Sequence, residues 1–139
     1  MSNKNKGIMW LCISFFIMIS IFSFSNQTSQ ESSSLSLNFV KILLPFLEPD
    51  LAHFIIRKMA HFTIYAFLGF SIYRSLSFFH VNPSNIFIGC LLFIILYAGL
   101  DEFHQLFVDG RSGEVRDIFI DSCGGCLGIG LSLWLKKRL

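Results

Sequence analysis

The sequence predicts an all-α polytopic membrane protein: four transmembrane helices, with an interfacial or re-entrant segment between the first two. Composition is the first reason. Of 139 residues, 53% are hydrophobic and 14% charged, against about 45–50% and about 25% in soluble domains. That is too few charges to coat a water-soluble fold. The 17 phenylalanines point the same way, because exposed aromatic surface on that scale aggregates in water. The second reason is segmentation: four stretches approach the roughly 20 apolar residues needed to cross about 30 Å of hydrocarbon. The third is charge. A net charge of +2 with no basic block leaves no footprint for a phosphate backbone, so no nucleic-acid partner is expected. A soluble enzyme and a disordered chain are disfavoured as well, and the expected partner is the lipid bilayer.

The first span, about residues 7–25, is uncharged from Gly7 to Ser25 and follows Lys4 and Lys6. A basic start before an apolar run also fits a cleaved signal peptide. Ser23-Phe24-Ser25-Asn26 is a poor small-x-small cleavage site, however, and the run is long, so retention is expected. Asn26 to Ser34, rich in Ser, Gln and Asn, reads as a solvated linker. Leu35 to Leu47 is apolar but interrupted by Lys41 and Pro45, too short and broken to span, hence interfacial or re-entrant. Pro49-Asp50 marks a helix start with Asp50 as N-cap. That helix leads into the second span, about residues 57–79, where Met59 to Phe79 carries only His61 and Arg74 as polar charges. The third span, about residues 85–105, has an uncharged run from Ile86 to Leu100. Extending it to Gln105 reaches the needed length and draws Asp101, Glu102 and His104 to the membrane boundary. The fourth, about residues 117–135, has Asp121 in its first turn and ends in Lys136, Lys137 and Arg138. With no repeat and no domain boundary, residues 1–139 read as a single transmembrane domain.

Loop charges set the expected orientation. With both termini in the cytoplasm, the inner basics are Lys4, Lys6, Arg74, Lys136, Lys137 and Arg138, without an acid. The outer side then holds Lys41, Arg57, Lys58, Arg111 and Arg116 together with all nine acids.

Polar groups in a bilayer are costly and mark candidate function. On the second helix, His53, Arg57, His61 and Tyr65 recur at i, i+4 and stack on one face, with Lys58 leaning toward it. On the third, Asp101, His104 and Gln105 share a face while Glu102 points about 100° away. Arg116 and Asp117 open the fourth helix and Asp121 lies one turn deeper. Burial can move a histidine or aspartate toward neutral titration, so His61, Asp101 and Glu102 are the candidate acid–base residues. Lys58, Tyr65, Gln105, Arg111, Arg116, Asp117 and Asp121 are the candidate binding residues. A structural alternative pairs Lys58 with Asp101 and Arg116 with Glu102 to hold the bundle together.

Asp109-Gly110 and Ser112-Gly113 are turn sequences, and Arg111 between them offers a planar fork suited to carboxylate or phosphate. Asp101, Glu102, His104 and His61 are residue types that zinc accepts. They come from separate helices without a His-Glu-x-x-His motif, so neither a metal nor another cofactor is expected. Cys123 and Cys126 form Cys-Gly-Gly-Cys inside an apolar span, with no second pair, and read as small core residues. Gly124 and Gly128 form a G-x-x-x-G that permits close helix approach, within the bundle or between copies in a homo-oligomer.

Three blocks in this order resemble the VanZ-like membrane proteins, named for a member associated with resistance to the glycopeptide teicoplanin. The resemblance spans roughly Arg57 to Leu131. The first block is Lys58-Met-Ala-His61-Phe62-Thr-Ile-Tyr65-Ala-Phe-Leu68-Gly69 and the second is Asp101-Glu102-Phe-His-Gln105. The third runs from Gly110-Arg111 through Arg116-Asp117 to Asp121, Gly124 and Gly128. Asp121 stands where the family commonly has Asn, and Ile64 where it often has an acid. The resemblance implies a multi-pass bacterial cell-membrane protein. Three functions then compete. One is an outer-face site that engages an anionic envelope component and lowers glycopeptide susceptibility. Another is an intramembrane hydrolase or transferase acting on a lipid-linked precursor, against which the lack of a Gly-x-Ser-x-Gly motif counts. The third is a small assembly subunit with purely structural ion pairs.

Overall fold

The computed structural model describes residues 2–44, 46–79 and 82–138, and among them it contains helices and no strand. Five α-helices follow in order: α1 (Asn3–Ser25), α2 (Ser29–Leu43), α3 (Pro49–Leu76), α4 (Pro83–Gln105) and α5 (Val115–Arg138). Their starts have local causes. Ser2 caps α1 by accepting from the Asn5 amide at 3.2 Å. Thr28 and Glu31 form a reciprocal capping box on α2, satisfying two of the amides that a helix start leaves open. Proline opens both α3 and α4, where its missing N–H costs nothing and its fixed φ suits a helix.

Three helices are long and apolar enough to cross a membrane: Asn3–Ser25, Pro83–Gln105 and Val115–Leu135. The fourth expected span, α3, fails on apolarity although it has 28 residues. Asp50, Arg57, Lys58 and Arg74 lie within it. Packing supplies the reason. Helix α3 sits at the centre, in contact with α1, α2, α4 and α5, so its polar face meets protein and needs no apolar stripe all round. By contrast Phe15, Phe16, Phe67 and Leu96 point out of the bundle, the arrangement that suits contact with lipid.

The core falls in two layers. Ile21, Tyr65, Leu68, Ile94 and Ala98 form one, and Tyr73, Ile86, Cys90 and Ile129 the other. Short hydroxyl contacts tie α1 to its neighbours: Ser14 Oγ donates to Ser71 Oγ at 2.8 Å, Ser75 Oγ to the Gly7 carbonyl at 2.8 Å, and Tyr97 Oη to the Met18 carbonyl at 2.8 Å. Helices α3 and α5 make the most extensive contact. There Gly124 lies against the Phe62 carbonyl, Gly128 against the Ala66 carbonyl, and Gly69 against Gly125, with no room for a Cβ. The G-x-x-x-G face is therefore occupied within the bundle, while Gly130 faces open space.

Four expectations need correction. The linker expected over Asn26 to Ser34 is shorter, because the capping box starts α2 at Ser29. Asp50 is not the N-cap of α3: Glu48 takes that position without a side-chain bond, and Asp50 lies in the first turn. With Pro49 at N1, the cap must precede the proline. Cys123 and Cys126 are exposed on the bundle surface rather than core residues, and Cys90 is the buried cysteine. Gly124, Gly125 and Gly128 turn toward the neighbouring helices, which leaves the cysteines on the opposite side of α5. Of the interrupted Leu35–Leu47 segment, α2 covers the part to Leu43. Pro45 lies outside the described residues, as do the side chains of Lys41, Lys136, Lys137 and Arg138.

Candidate functional site

The polar residues collect at one end of the bundle, where α1 and α4 finish and α3 and α5 begin. On α3 the i, i+3 step from Lys58 to His61 and the i, i+4 step to Tyr65 place all three toward α4 and α5. Lys58, buried, pairs with the Asp117 carboxylate of α5, both side chains about a tenth exposed or less, and its ammonium lies 5.0 Å over the Phe54 ring. His61 Nδ1 stands 3.5 Å from Asp121 Oδ2. Asp121 is fully buried, and its other oxygen has no hydrogen-bond partner. Tyr65 is also fully buried with its hydroxyl unpartnered.

Helix α4 contributes three buried groups. Asp101 Oδ2 accepts from Ser25 Oγ at 2.9 Å and from Gln105 Nε2 at 3.3 Å. Glu102 Oε1 accepts from Gln105 Nε2 at 3.2 Å, and its Oε2 from the Glu114 amide at 2.8 Å. Gln105 thus bridges two carboxylates. The 100° offset that separates Glu102 from Asp101 aims Glu102 at the turn after Gly113, whose close approach to the Glu102 carbonyl excludes a side chain there. His104 faces elsewhere, with Nε2 3.3 Å from Asn26 Oδ1 and its ring 4.7 Å from Phe22.

The loop folds as its sequence suggests, with Gly110 at φ 72°, a conformation that favours glycine. Arg111 does not stand free at the tip. Its Nε donates to the Gln27 carbonyl at 2.7 Å and its Nη2 to the Phe24 carbonyl at 3.1 Å, so it satisfies open carbonyls at the end of α1. Its Nη1 is buried without a partner. Burial, and next the neighbouring Arg57 guanidinium, lower the Arg111 pKa from its ordinary value. Arg116 is exposed, donating to Glu114 Oε2 at 2.6 Å, with its guanidinium 5.1 Å over Phe54.

The structural pairs Lys58–Asp101 and Arg116–Glu102 are therefore replaced by Lys58–Asp117 and Arg116–Glu114. Helix α5 packs closer to α3 than α4 does at this level, and Glu114 is only two residues from Arg116. Lys58, His61, Tyr65, Asp101, Glu102, Gln105, Asp117 and Asp121 gather between α3, α4 and α5; Arg111 is at the rim and Arg116 outside it. Two contributors went unassigned from sequence. Ser25 left no signal beyond ending an apolar run. Arg57 stands in the same i, i+4 row as His61, and it lines a polar cavity of about 210 Å³ with Ser29, Ser32, Ser33, Asp50, His53 and Phe54.

An all-helical bundle with apolar outward faces and a buried ionisable cluster at one end defines a small polytopic membrane protein. The family model described as VanZ/LLP1 matches residues 9–136. The chain belongs to the VanZ/LLP1 family. No curated protein and no solved structure matches it.

Proposed function

We propose that this chain is a four-span protein of the bacterial cell membrane, with cytoplasmic termini and an outer-face site that engages an anionic cell-envelope component. Helix α3 is the fourth span: it packs against four other helices, and the face turned to them can carry polar residues that a lipid-facing surface cannot. The orientation rests on the six basics without an acid at the Lys4 and Arg74 end, which puts the polar cluster outside. An effect on glycopeptide susceptibility is part of this reading, and the family match supports it.

One observation carries the binding reading. Burial and then the nearby Arg57 guanidinium lower the Arg111 pKa, and neither arginine forms a salt bridge among the described residues. Arg57 lines a polar cavity with Ser29, Ser32, Ser33, Asp50 and His53, and Arg111 nearby keeps an Nη1 without a partner, a pair that suits a phosphate or carboxylate bound by charge-assisted hydrogen bonds. Lys58 is neutralised by Asp117 and Arg116 by Glu114, so Arg57 joins Arg111 as the principal cationic pair of the reading. The test is teicoplanin susceptibility in a strain that depends on this protein, with Arg57→Gln and Arg111→Gln each expressed at wild-type level in the membrane. Loss of protection in both supports the reading. Wild-type protection in both ends it.

A further inference from the structure

Asp101, Glu102 and Asp121 are 5%, 3% and 0% exposed and form no salt bridge to lysine or arginine among the described residues. Glu102 is satisfied by Gln105 and the Glu114 amide. The other two carboxylates converge on His61. One ring nitrogen of His61 and one oxygen each of Asp101 and Asp121 lie within 4.8 Å of one another, a donor from each of α3, α4 and α5. Asp121 Oδ1 is buried without a hydrogen-bond partner, and so is the hydroxyl of Tyr65, one turn along α3 from His61. That hydroxyl lies within electrostatic reach of both carboxylates.

Two carboxylates brought together out of water need a counter-charge or a proton, since an uncompensated buried anion is strongly disfavoured. Lys58 is engaged by Asp117, and Ser25 and Gln105 supply only neutral donors to Asp101. We propose that His61, Asp101 and Asp121 bind a divalent transition cation of the zinc type, with a fourth position open toward Tyr65. One imidazole and two carboxylates form a donor set that zinc accepts, and three protein ligands with an open position mark reactive rather than structural sites. Ligand atoms around a tetrahedral zinc stand about 3.3 Å apart. His61 and Asp121 are already at 3.5 Å, and the Asp101 oxygen lies within 4.8 Å of both. The hydrogen bonds from Ser25 and Gln105 hold that carboxyl in place, as outer partners do around metal ligands. The inference does not depend on the Arg57–Arg111 site, which uses different atoms.

The experiment measures metal content. Full-length protein in detergent micelles is stripped with chelator, dialysed against Zn²⁺, cleared of excess and assayed for zinc per chain. Wild type is expected to hold about one zinc, and His61→Gln and Asp121→Asn to bind at least about tenfold more weakly. His53→Gln and His104→Gln serve as controls and keep the metal. Asp121→Asn preserves side-chain shape; should it aggregate, the contrast of His61→Gln with the two control histidines decides. Uptake well below one zinc by wild type overturns the proposal, and so does undiminished uptake by His61→Gln. Arg57→Gln separates the two readings, because it leaves zinc content unchanged even if it abolishes glycopeptide protection.

Discussion

Ser25 Oγ donates to Asp101 Oδ2 at 2.9 Å, joining the last residue of α1 to a buried acid near the end of α4. A hydrogen bond to a charged acceptor contributes about 1.5–3 kcal/mol, and its loss leaves a buried oxygen less well satisfied. Ser25→Ala is expected to destabilise the bundle by about that amount. Ser20→Ala is the comparison, because Ser20 bonds only the Phe16 carbonyl of its own helix and should be near neutral. Thermal unfolding of the two variants in detergent measures the difference. Equal midpoints would show that α1 is not anchored through Asp101.

The Lys58–Asp117 pair makes a sharper demand. With side chains 10% and 8% exposed, either charge left alone has little water to retreat to. Removing one partner of a buried pair costs about 3–5 kcal/mol, whereas replacing both with apolar groups can be neutral. Lys58→Met and Asp117→Leu should each lower the yield of monodisperse protein, and the double variant should recover most of it. A double variant no better than the singles would mean the pair is not coupled. Size-exclusion profiles of equal expression cultures give the answer.

What was legible in the sequence follows from which forces act locally. Helix α4, Pro83–Gln105, was legible as a helix because an unbroken apolar run and a leading proline are local signals. The capping box at Thr28 and Glu31 was equally local, yet a serine-rich composition concealed it. Partner choice was not local. Lys58 could reach an acid on α4 or on α5 by sequence alone, and only the close α3–α5 packing through Gly124 and Gly128 assigns it to Asp117. The same packing brings Asp121, rather than Glu102, to His61. Arg111 looked free at a loop tip because nothing in the chain order shows the carbonyls of Phe24 and Gln27 beneath it.

Glu31 gives a pH dependence outside the membrane spans. Its bonds from the Thr28 amide and hydroxyl lower its pKa from the ordinary 4.5. A carboxylate with a depressed folded-state pKa contributes its stabilisation above the unfolded value, and loses it as pH falls through the folded one. The first turn of α2 should therefore be protected at pH above 4.5 and fray at lower pH. Amide exchange at Glu31, corrected for the intrinsic rate, should accelerate on acidification. Glu31→Gln should abolish that acid-dependent step, and a step that persists in the variant would assign it to another group.

The contact of Gly128 with Ala66 sets the tightest steric limit in the bundle. A Cβ there would meet the Ala66 carbonyl and the Phe70 amide nitrogen, backbone atoms that cannot rotate away. Overpacking usually costs about 1–3 kcal/mol because side chains adjust. Here α3 and α5 must separate, which also pulls Asp117 from Lys58 and Asp121 from His61. Gly128→Val is expected to exceed that range and to unfold or aggregate the protein at temperatures where wild type is monodisperse. Gly130, two residues on, has no atom within 4 Å of the same added carbon. Gly130→Ala should be neutral or slightly stabilising, since alanine is the better helix former. Fluorescence-detected size exclusion over a temperature series compares the pair, and a tolerant Gly128→Val would refute the close α3–α5 approach on which the site's geometry depends.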